Sequence, residues 1–309
     1  MNKPKISIVL TTYNRSNYLG EAIESILNQS YSEFKLIILD NGSDDNTKHT
    51  VLKFDDKRIN YIRNEINSND FINKAFTFTD YKYFMITHDD DIMIENFLKR
   101  SLEFLEDNIK YSLVASSIKL IDKDGRNLKR IRPRLLGDRS WAQYEFIKTY
   151  MLRGDIIPCP TIVYRSNLIK DYELNYNFKV GPAVDLYLLF EINTLKKDFY
   201  LFKDPLYKYR IHKNQDSNQN RLSLEFQVRP YIISLLDKAN LYRLSKKYEM
   251  ASLGIILQIC IHNFINGELN FKDFKREIKK LKKEDITFNF YTVYWGIIGI
   301  FRGIKNKLN

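Results

Sequence analysis

Tyr83-Phe-Met-Ile-Thr-His88-Asp89-Asp90-Asp91-Ile92 joins an apolar, strand-forming run directly to three consecutive carboxylates. Close like charges repel, and a protein keeps them together where something positive compensates. In an open α/β sheet, ligands bind at the carboxyl ends of the strands. An acidic cluster at such an end suits a hard divalent metal carrying a substrate phosphate. A solvated acidic turn is the competing explanation, because a run of aspartates is a weak motif alone. The strands that precede it in the chain bear on the choice.

Ile6-Ser-Ile-Val-Leu-Thr-Thr12 is a short β-branched run without Gly or Pro, and it stops at Tyr13-Asn14-Arg15. Leu19, Ala22, Ile23, Ile26 and Leu27 then recur at helical spacing, with Asn17 as the cap. Lys35-Leu-Ile-Ile-Leu39 reads as a second buried strand ending at Asp40-Asn41-Gly42-Ser43-Asp44-Asp45. A helix is expected from Asn46 to about Phe54, a third strand at Ile59 to Ile62, a weaker helix from Asn69 to Thr79, and a fourth strand at Tyr83 to Thr87. The order is βαβαβαβ. Right-handed crossovers bring the carboxyl ends of such strands to one edge, so Thr11, Thr12, Asp40 and the aspartates near Asp90 are expected to line one crevice.

Val9-Leu-Thr-Thr-Tyr-Asn-Arg15, then Ile38-Leu-Asp-Asn-Gly-Ser-Asp-Asp45, then the aspartate cluster together resemble the nucleotide-sugar domain of the family 2 glycosyltransferases. The likeness in kind and order runs through roughly the first 215 residues. It implies the GT-A fold, an α/β Rossmann-like, mostly parallel sheet flanked by helices, here with a helical C-terminal appendage. It also implies transfer of a sugar from a nucleotide-diphosphate donor, most often a UDP-sugar, with inversion at the anomeric carbon. Carried over by motif, Thr12, Tyr13 and Asp40 hold the base, with Thr11, Arg15 and Asn41 beside them on the donor. Aligned on Ile92, His88 stands where the family's first Asp would be. Asp90 becomes the metal ligand with Asp91 next to it, and His88 or Asp89 contacts the ribose or first phosphate. A neutral imidazole accepts a hydrogen bond from a sugar hydroxyl as a carboxylate does, but adds no negative charge beside the metal. The segment from Asn64 to Lys74 departs from the Ala-Arg-Asn that many relatives carry.

Downstream, Gly181-Pro-Ala-Val-Asp185 precedes an apolar helix where the family often has Glu-Asp. The resemblance makes Asp185 the base that deprotonates the acceptor hydroxyl, a role that contributes ~10²–10⁴-fold in rate. From local sequence alone Asp185 reads as a helix cap, and it is the register with the family that makes it the base. Tyr207-Lys-Tyr-Arg210-Ile-His212 resembles the element that closes the catalytic domain. Arg210 and His212 alternate on a strand and can face the donor diphosphate together, although a plain basic strand edge has the same pattern. Cys159 to Arg165 reads as a further strand. Trp141, Tyr144, Ile147, Tyr150 and Met151 read as the core face of a helix.

The chain has 309 residues, 44% of them hydrophobic, enough for one large domain and an appendage. The expected division is a catalytic domain over 1–220, with a nucleotide-sugar half at 1–110 and an acceptor half at 111–220, followed by a basic helical region over 221–309. Two cysteines distant in sequence and no signal peptide at Met1-Asn-Lys-Pro4 predict a reducing cytoplasm. No run of the ~18–20 apolar residues that span a bilayer is evident. The Gln-x-x-Arg-Trp element of processive synthases is also missing, which favours transfer of one sugar at a time. Leu222 to Arg243 and Lys246 to about Ile265 are expected helices, followed by a strongly basic stretch from Phe271 to Lys283 and an aromatic tail from Phe288 to Phe301. Tyr291, Tyr294, Trp295, Ile298 and Phe301 recur on one side of that tail. With a net charge of +11, this predicts peripheral attachment to the anionic inner face of the cytoplasmic membrane. No nucleic-acid module is visible, so nucleic acid is not expected as a partner.

The reading is a metal-dependent inverting glycosyltransferase using Mn²⁺ or Mg²⁺. Its acceptor is a hydroxyl of a bacterial cell-surface glycan, such as capsule or lipopolysaccharide, or a polyprenyl-linked saccharide. A noncatalytic nucleotide-sugar-binding or membrane-docking subunit is the alternative from another class. A sugar-1-phosphate nucleotidyltransferase would need a Gly-rich loop after the first strand, and Thr12 to Tyr18 contains no glycine.

Overall fold

The computed structural model describes residues 5–154, 157–212, 221–283 and 290–307. Its strands are β1 (Ile6–Thr12), β2 (Phe34–Asp40), β3 (Ile59–Arg63), β4 (Tyr83–His88), β5 (Ile92–Met93), β6 (Tyr111–Ile121), β7 (Asn127–Arg132), β8 (Arg139–Trp141), β9 (Val163–Arg165) and β10 (Asp198–Arg210). Its helices are α1 (Ser16–Leu27), α2 (Thr47–Val51), α3 (Asn69–Asn73), α4 (Phe97–Asp107), α5 (Glu145–Arg153), α6 (Ser166–Asp171), α7 (Val184–Thr194), α8 (Arg221–Lys238), α9 (Tyr242–Ile265), α10 (Phe271–Lys283) and α11 (Phe290–Lys307). They form two compact units. The first takes residues 1–143, 156–176 and 196–213, and the second takes 144–155, 177–195 and 214–309.

The first unit is built on one mixed sheet in the order β3-β2-β1-β4-β9-β6-β10-β5, with β7 on β6 and β8 on β10. β3, β2, β1 and β4 are mutually parallel, as the βαβαβαβ pattern predicts. Their register sets the site: Thr12 lies opposite Asp40, and Thr11 opposite His88. Ile8, Leu10, Leu36, Ile38 and Met85 pack with Leu19, Ala22, Ile23 and Ile26 of α1 and with Phe97, Leu98, Leu102 and Leu105 of α4. Each large aliphatic side chain so buried contributes ~1.5–3 kcal/mol. The strand ends are therefore held by a core that has no part in the chemistry.

Three expected elements differ in detail. α2 is one short turn, because Asp45 Oδ1 accepts from both the Thr47 N–H and hydroxyl and starts the helix there. The 69–79 helix is α3, capped by Ser68, followed by a 3₁₀ turn at Lys74–Thr77. In the Cys159 stretch, Pro160 lacks an N–H for a ladder, so Cys159–Thr161 is a 3₁₀ turn. Only Val163–Arg165 forms a strand, antiparallel between β4 and β6.

Trp141 belongs to the first unit, in β8 opposite Phe199 of β10. In the second unit, Ile147, Tyr150 and Met151 are buried on α5, while Tyr144 sits just before it with φ 63°. α9 is buried on nearly all sides from Tyr248 to Cys260. By length and composition it could cross a membrane, with mean hydropathy 1.3 over 18 residues, a candidate that the sequence reading did not find. Of that window, 56% is buried by protein, as suits the central helix of a bundle. α11 packs along α9. Thr292 and Trp295 are buried on it, and Trp295 Nε1 donates to Met151 O at 2.9 Å. The aromatic tail thus turns its Trp inward. Val293, Ile297, Ile300, Phe301 and Ile304 remain exposed on the same helix, and Phe288 lies outside the described residues.

Candidate active site

Asp89, Asp90 and Asp91 follow β4 in a tight turn and are all buried. Asp89 turns toward the end of β1. It accepts from the Tyr13 N–H at 3.4 Å and from Arg15 Nη1 at 3.2 Å. Burial lifts its carboxyl to about 7, with Arg15 pulling down and Asp90 pushing up. Asp90 Oδ2 meets His212 Nε2 at 2.9 Å and Arg15 Nη1 at 3.4 Å. Asp91 Oδ1 accepts the Arg210 N–H at 3.0 Å. Burial first, and the Asp90 charge second, hold Asp91 well above the usual carboxylate range.

One ligand atom from each of His88, Asp90 and Asp91 falls within 4.8 Å of the others. Asp91 Oδ2 is buried and has no hydrogen-bond partner among the described residues. A buried carboxylate oxygen without a donor is costly, and a divalent cation satisfies it while cancelling the repulsion between Asp90 and Asp91. Two carboxylates and an imidazole form a donor set that Mn²⁺ and Mg²⁺ accept. The residues present fit a metal.

Asp40, at the end of β2, is fully buried. It accepts from the Ser43 N–H at 2.8 Å and the Tyr61 hydroxyl at 2.5 Å, and it pairs with Arg63 Nε at 3.5 Å. Asn41 donates its N–H to Thr12 O at 2.9 Å, which locks β2 to β1 just past the ladder. Its amide is spent on the 64–74 segment: Nδ2 donates to Asn67 Oδ1 and Ser68 O, and Oδ1 accepts the Ser68 N–H. Gly42 has φ 86°, and a Cβ there would sit 2.8 Å from the Ile66 backbone, so this close approach requires glycine. Thr11 is half-buried, Thr12 buried, and Tyr13 exposed at 44%.

A comparison of the sequence with protein-family models matches glycosyl transferase family 2 over residues 7–172. The chain belongs to that family. It is 30% identical to an uncharacterized glycosyltransferase of Methanocaldococcus jannaschii over 230 residues, covering 72% of this chain and 76% of the relative. It is 26% identical to a Haemophilus influenzae glycosyltransferase, covering 91% and 97% respectively. Among solved structures it resembles S. aureus TarS 1–349 in complex with UDP-GlcNAc, with TM-score 0.68, 16% identity and coverage of 99% of this chain and 92% of that one. It also resembles the Pyrobaculum calidifontis mannosyltransferase PcManGT in complex with GDP-Man and Mn²⁺, with TM-score 0.56, 12% identity and coverage of 99% and 88%. The fold is therefore GT-A-like, and the protein is a glycosyltransferase.

In this glycosyltransferase the sheet gathers Thr11, Thr12, Tyr13, Arg15, Asp40, Asn41, His88, Asp89, Asp90, Asp91, Arg210 and His212 in the first unit. Arg210 is 2% exposed and lies under the acidic turn. Its Nε donates to Asp90 O at 2.9 Å, and its Nη2 pairs with Glu21 at 2.5 Å. Asp185 belongs to the second unit. It is half-buried in the first turn of α7, where its Oδ1 accepts the Leu186 N–H at 2.8 Å. Sequence reasoning missed Tyr61, Arg63 and Glu21. Arg63 had a signal, because in-register parallel pairing of β2 and β3 sets it opposite Asp40. Glu21, on the exposed side of an amphipathic helix, had none.

Proposed function

We propose that this glycosyltransferase moves one sugar at a time from a nucleotide-diphosphate donor, a UDP-sugar, with inversion. The acceptor in this reading is a hydroxyl of a cell-surface glycan or of a polyprenyl-linked saccharide. The observation that carries it is the group of buried Asp90 and Asp91 with half-buried His88, which holds a carboxylate oxygen without a hydrogen-bond partner among the described residues, at the crevice edge of the sheet. UDP as the nucleotide is supported by the likeness in fold to a UDP-GlcNAc complex, and a metal by the likeness to a Mn²⁺ complex.

Asp90 and Asp91, with His88 beside them, would hold Mn²⁺ or Mg²⁺, which when bound neutralises charge developing on the departing diphosphate. Buried Asp40 and the Thr11, Thr12 and Tyr13 backbone beside it form the base end of the donor site. Arg15 offers a cation to the donor phosphates while fixing Asp89 and Asp90. His212, held on Asp90, orients that carboxylate. Arg210 supports the turn from beneath. Asp185 accepts the proton of the acceptor hydroxyl as attack proceeds. The exposed apolar face of α11, in a region rich in lysine and arginine, attaches the enzyme to the inner face of the cytoplasmic membrane.

A thermal-shift screen of UDP-, GDP-, CMP- and dTDP-sugars with and without Mn²⁺ tests this reading. A UDP-sugar at 100 times its Kd adds about 2.7 kcal/mol of stability. A shift from no UDP compound, or one indifferent to Mn²⁺, would overturn the donor and metal assignments.

A further inference from the structure

From Arg126 to Arg134 the chain carries Arg126, Lys129, Arg130, Arg132 and Arg134 with no acidic residue among them. All six residues of β7 are exposed. Among the described residues β7 pairs with β6 alone, and its other edge is open. Lys129, Arg130, Arg132 and Arg134 form no ion pair among the described residues. Arg126 has only a 3.8 Å approach to Asp124.

This strip begins at the catalytic end of the sheet. Arg210, which holds Asp90 O, also donates through Nη1 to Lys123 O at 3.3 Å and Asp122 O at 3.5 Å, in the turn between β6 and β7. Gly125, with φ 82°, closes that turn, and a Cβ there would lie 3.5 Å from Arg210 Nη1. Asp122 Oδ1 accepts the Asp124 and Arg126 N–H groups and ties the turn shut. Ile121 pairs with Asn127 near the turn, and Ile118 with Arg132 at the far end. β7 bulges at Lys129, where φ is 52°, and covers three residue steps of β6, about 10 Å, so the cations are crowded along a short path that leads away from the acidic turn. Charged residues commonly guard edge strands against sheet-to-sheet pairing. One or two serve that purpose, whereas five of one sign in nine residues set up a field that draws anions. Arginine forks also bind phosphate and carboxylate through paired hydrogen bonds.

We propose that β7 is a docking strip for an anionic acceptor, a glycan chain that bears phosphate or carboxylate groups away from its accepting hydroxyl. This rests on the glycosyltransferase reading above and names its acceptor class. The test is binding of the full chain to fluorescein-labelled poly(glycerol phosphate) and oligogalacturonate, with neutral dextran, duplex DNA and phosphatidylglycerol vesicles as separate arms. At low salt the wild type is expected to bind at least one anionic glycan and not dextran, and Arg130→Glu with Arg132→Glu to weaken that binding by about tenfold or more. Arg130→Gln with Arg132→Gln, expected to weaken it in the same direction, keeps the test readable if the reversed pair does not fold. Lys272→Glu with Lys279→Glu on α10 makes the same change in net charge and is expected to leave glycan affinity within about twofold. Unchanged glycan affinity in both Arg130/Arg132 variants overturns the proposal. So does an equal loss in the α10 variant, or a loss confined to vesicles or to DNA. UDP binding by the wild type is measured separately, and its absence overturns the donor reading rather than this one.

Discussion

Asp90 faces two opposing influences. It is repelled by Asp91, and it is drawn to His212 and Arg15. Because these partly cancel, Asp90→Ala is expected to shift the melting temperature little and to raise the Mn²⁺-dependent Kd for UDP by about tenfold or more. Calorimetry with Mn²⁺ and with a chelator measures this, and an unchanged affinity would remove Asp90 from the metal site. Asp185 separates binding from chemistry. Asp185→Asn keeps the carbonyl oxygen that can accept the Leu186 N–H but cannot take up a proton. It should leave donor affinity within a few-fold and cut turnover on the true acceptor by ~10²-fold or more. Near-normal turnover would reduce Asp185 to its local helix contact. At this scale the sequence made the aspartates and Asp40 legible, because a strand that ends in polar residues declares its ligand edge. It did not show that Arg210 faces the underside of the turn. Alternation on a strand restricts which face a side chain takes, but burial and partners come from elements distant in sequence, here Glu21 and the 122–125 turn.

Elements were legible where one periodicity governed them. β1, β2, β3, β4, α1 and the long C-terminal helices fall close to where their patterns set them. α2, α3 and the Cys159 turn did not, because each is ruled by a side-chain cap or a proline rather than by an apolar face. The crossing of α9 and α11 depends on something subtler, the absence of side chains. A Cβ on Gly254 would stand 2.8 Å from Tyr291 O and 3.0 Å from Trp295 Cδ1, and one on Gly299 would stand 2.9 Å from Gln258 O. Two of these neighbours are backbone atoms and cannot rotate aside. Gly254→Ala is therefore expected to force the helices apart and to cost about 1–3 kcal/mol, well beyond the slight gain in helix propensity. Chemical denaturation checks it, and a stability equal to or above wild type would mean that α11 is not seated on α9 in solution.

At the scale of the whole molecule, the chain runs between its two compact units several times, so parts remote in sequence share a core. A boundary drawn along the chain cannot express this, because composition changes once near residue 220 while the chain has already supplied α5 and α7 to the helical unit. The tail makes the consequence testable. Its Trp295 is core, hydrogen-bonded to α5, and loss of a buried Trp side chain alone costs ~3–5 kcal/mol. Removing residues 284–309 should therefore lower the melting temperature sharply, and loss of membrane binding in such a truncation would say nothing about the membrane. Substitutions on the other face can separate the two roles. Ile297 and Ile300 are 49% and 46% exposed, whereas Thr292 and Trp295 of that helix are buried. Ile297→Asp with Ile300→Asp is expected to hold the melting temperature within a few degrees, since surface substitutions usually stay within about ±0.5 kcal/mol. The same pair should release the protein from phosphatidylglycerol vesicles, because it removes apolar area and adds like charge against the leaflet. Co-sedimentation at low salt reads the result. Full retention on vesicles by this variant would show that the exposed stripe of α11 is not what meets the membrane.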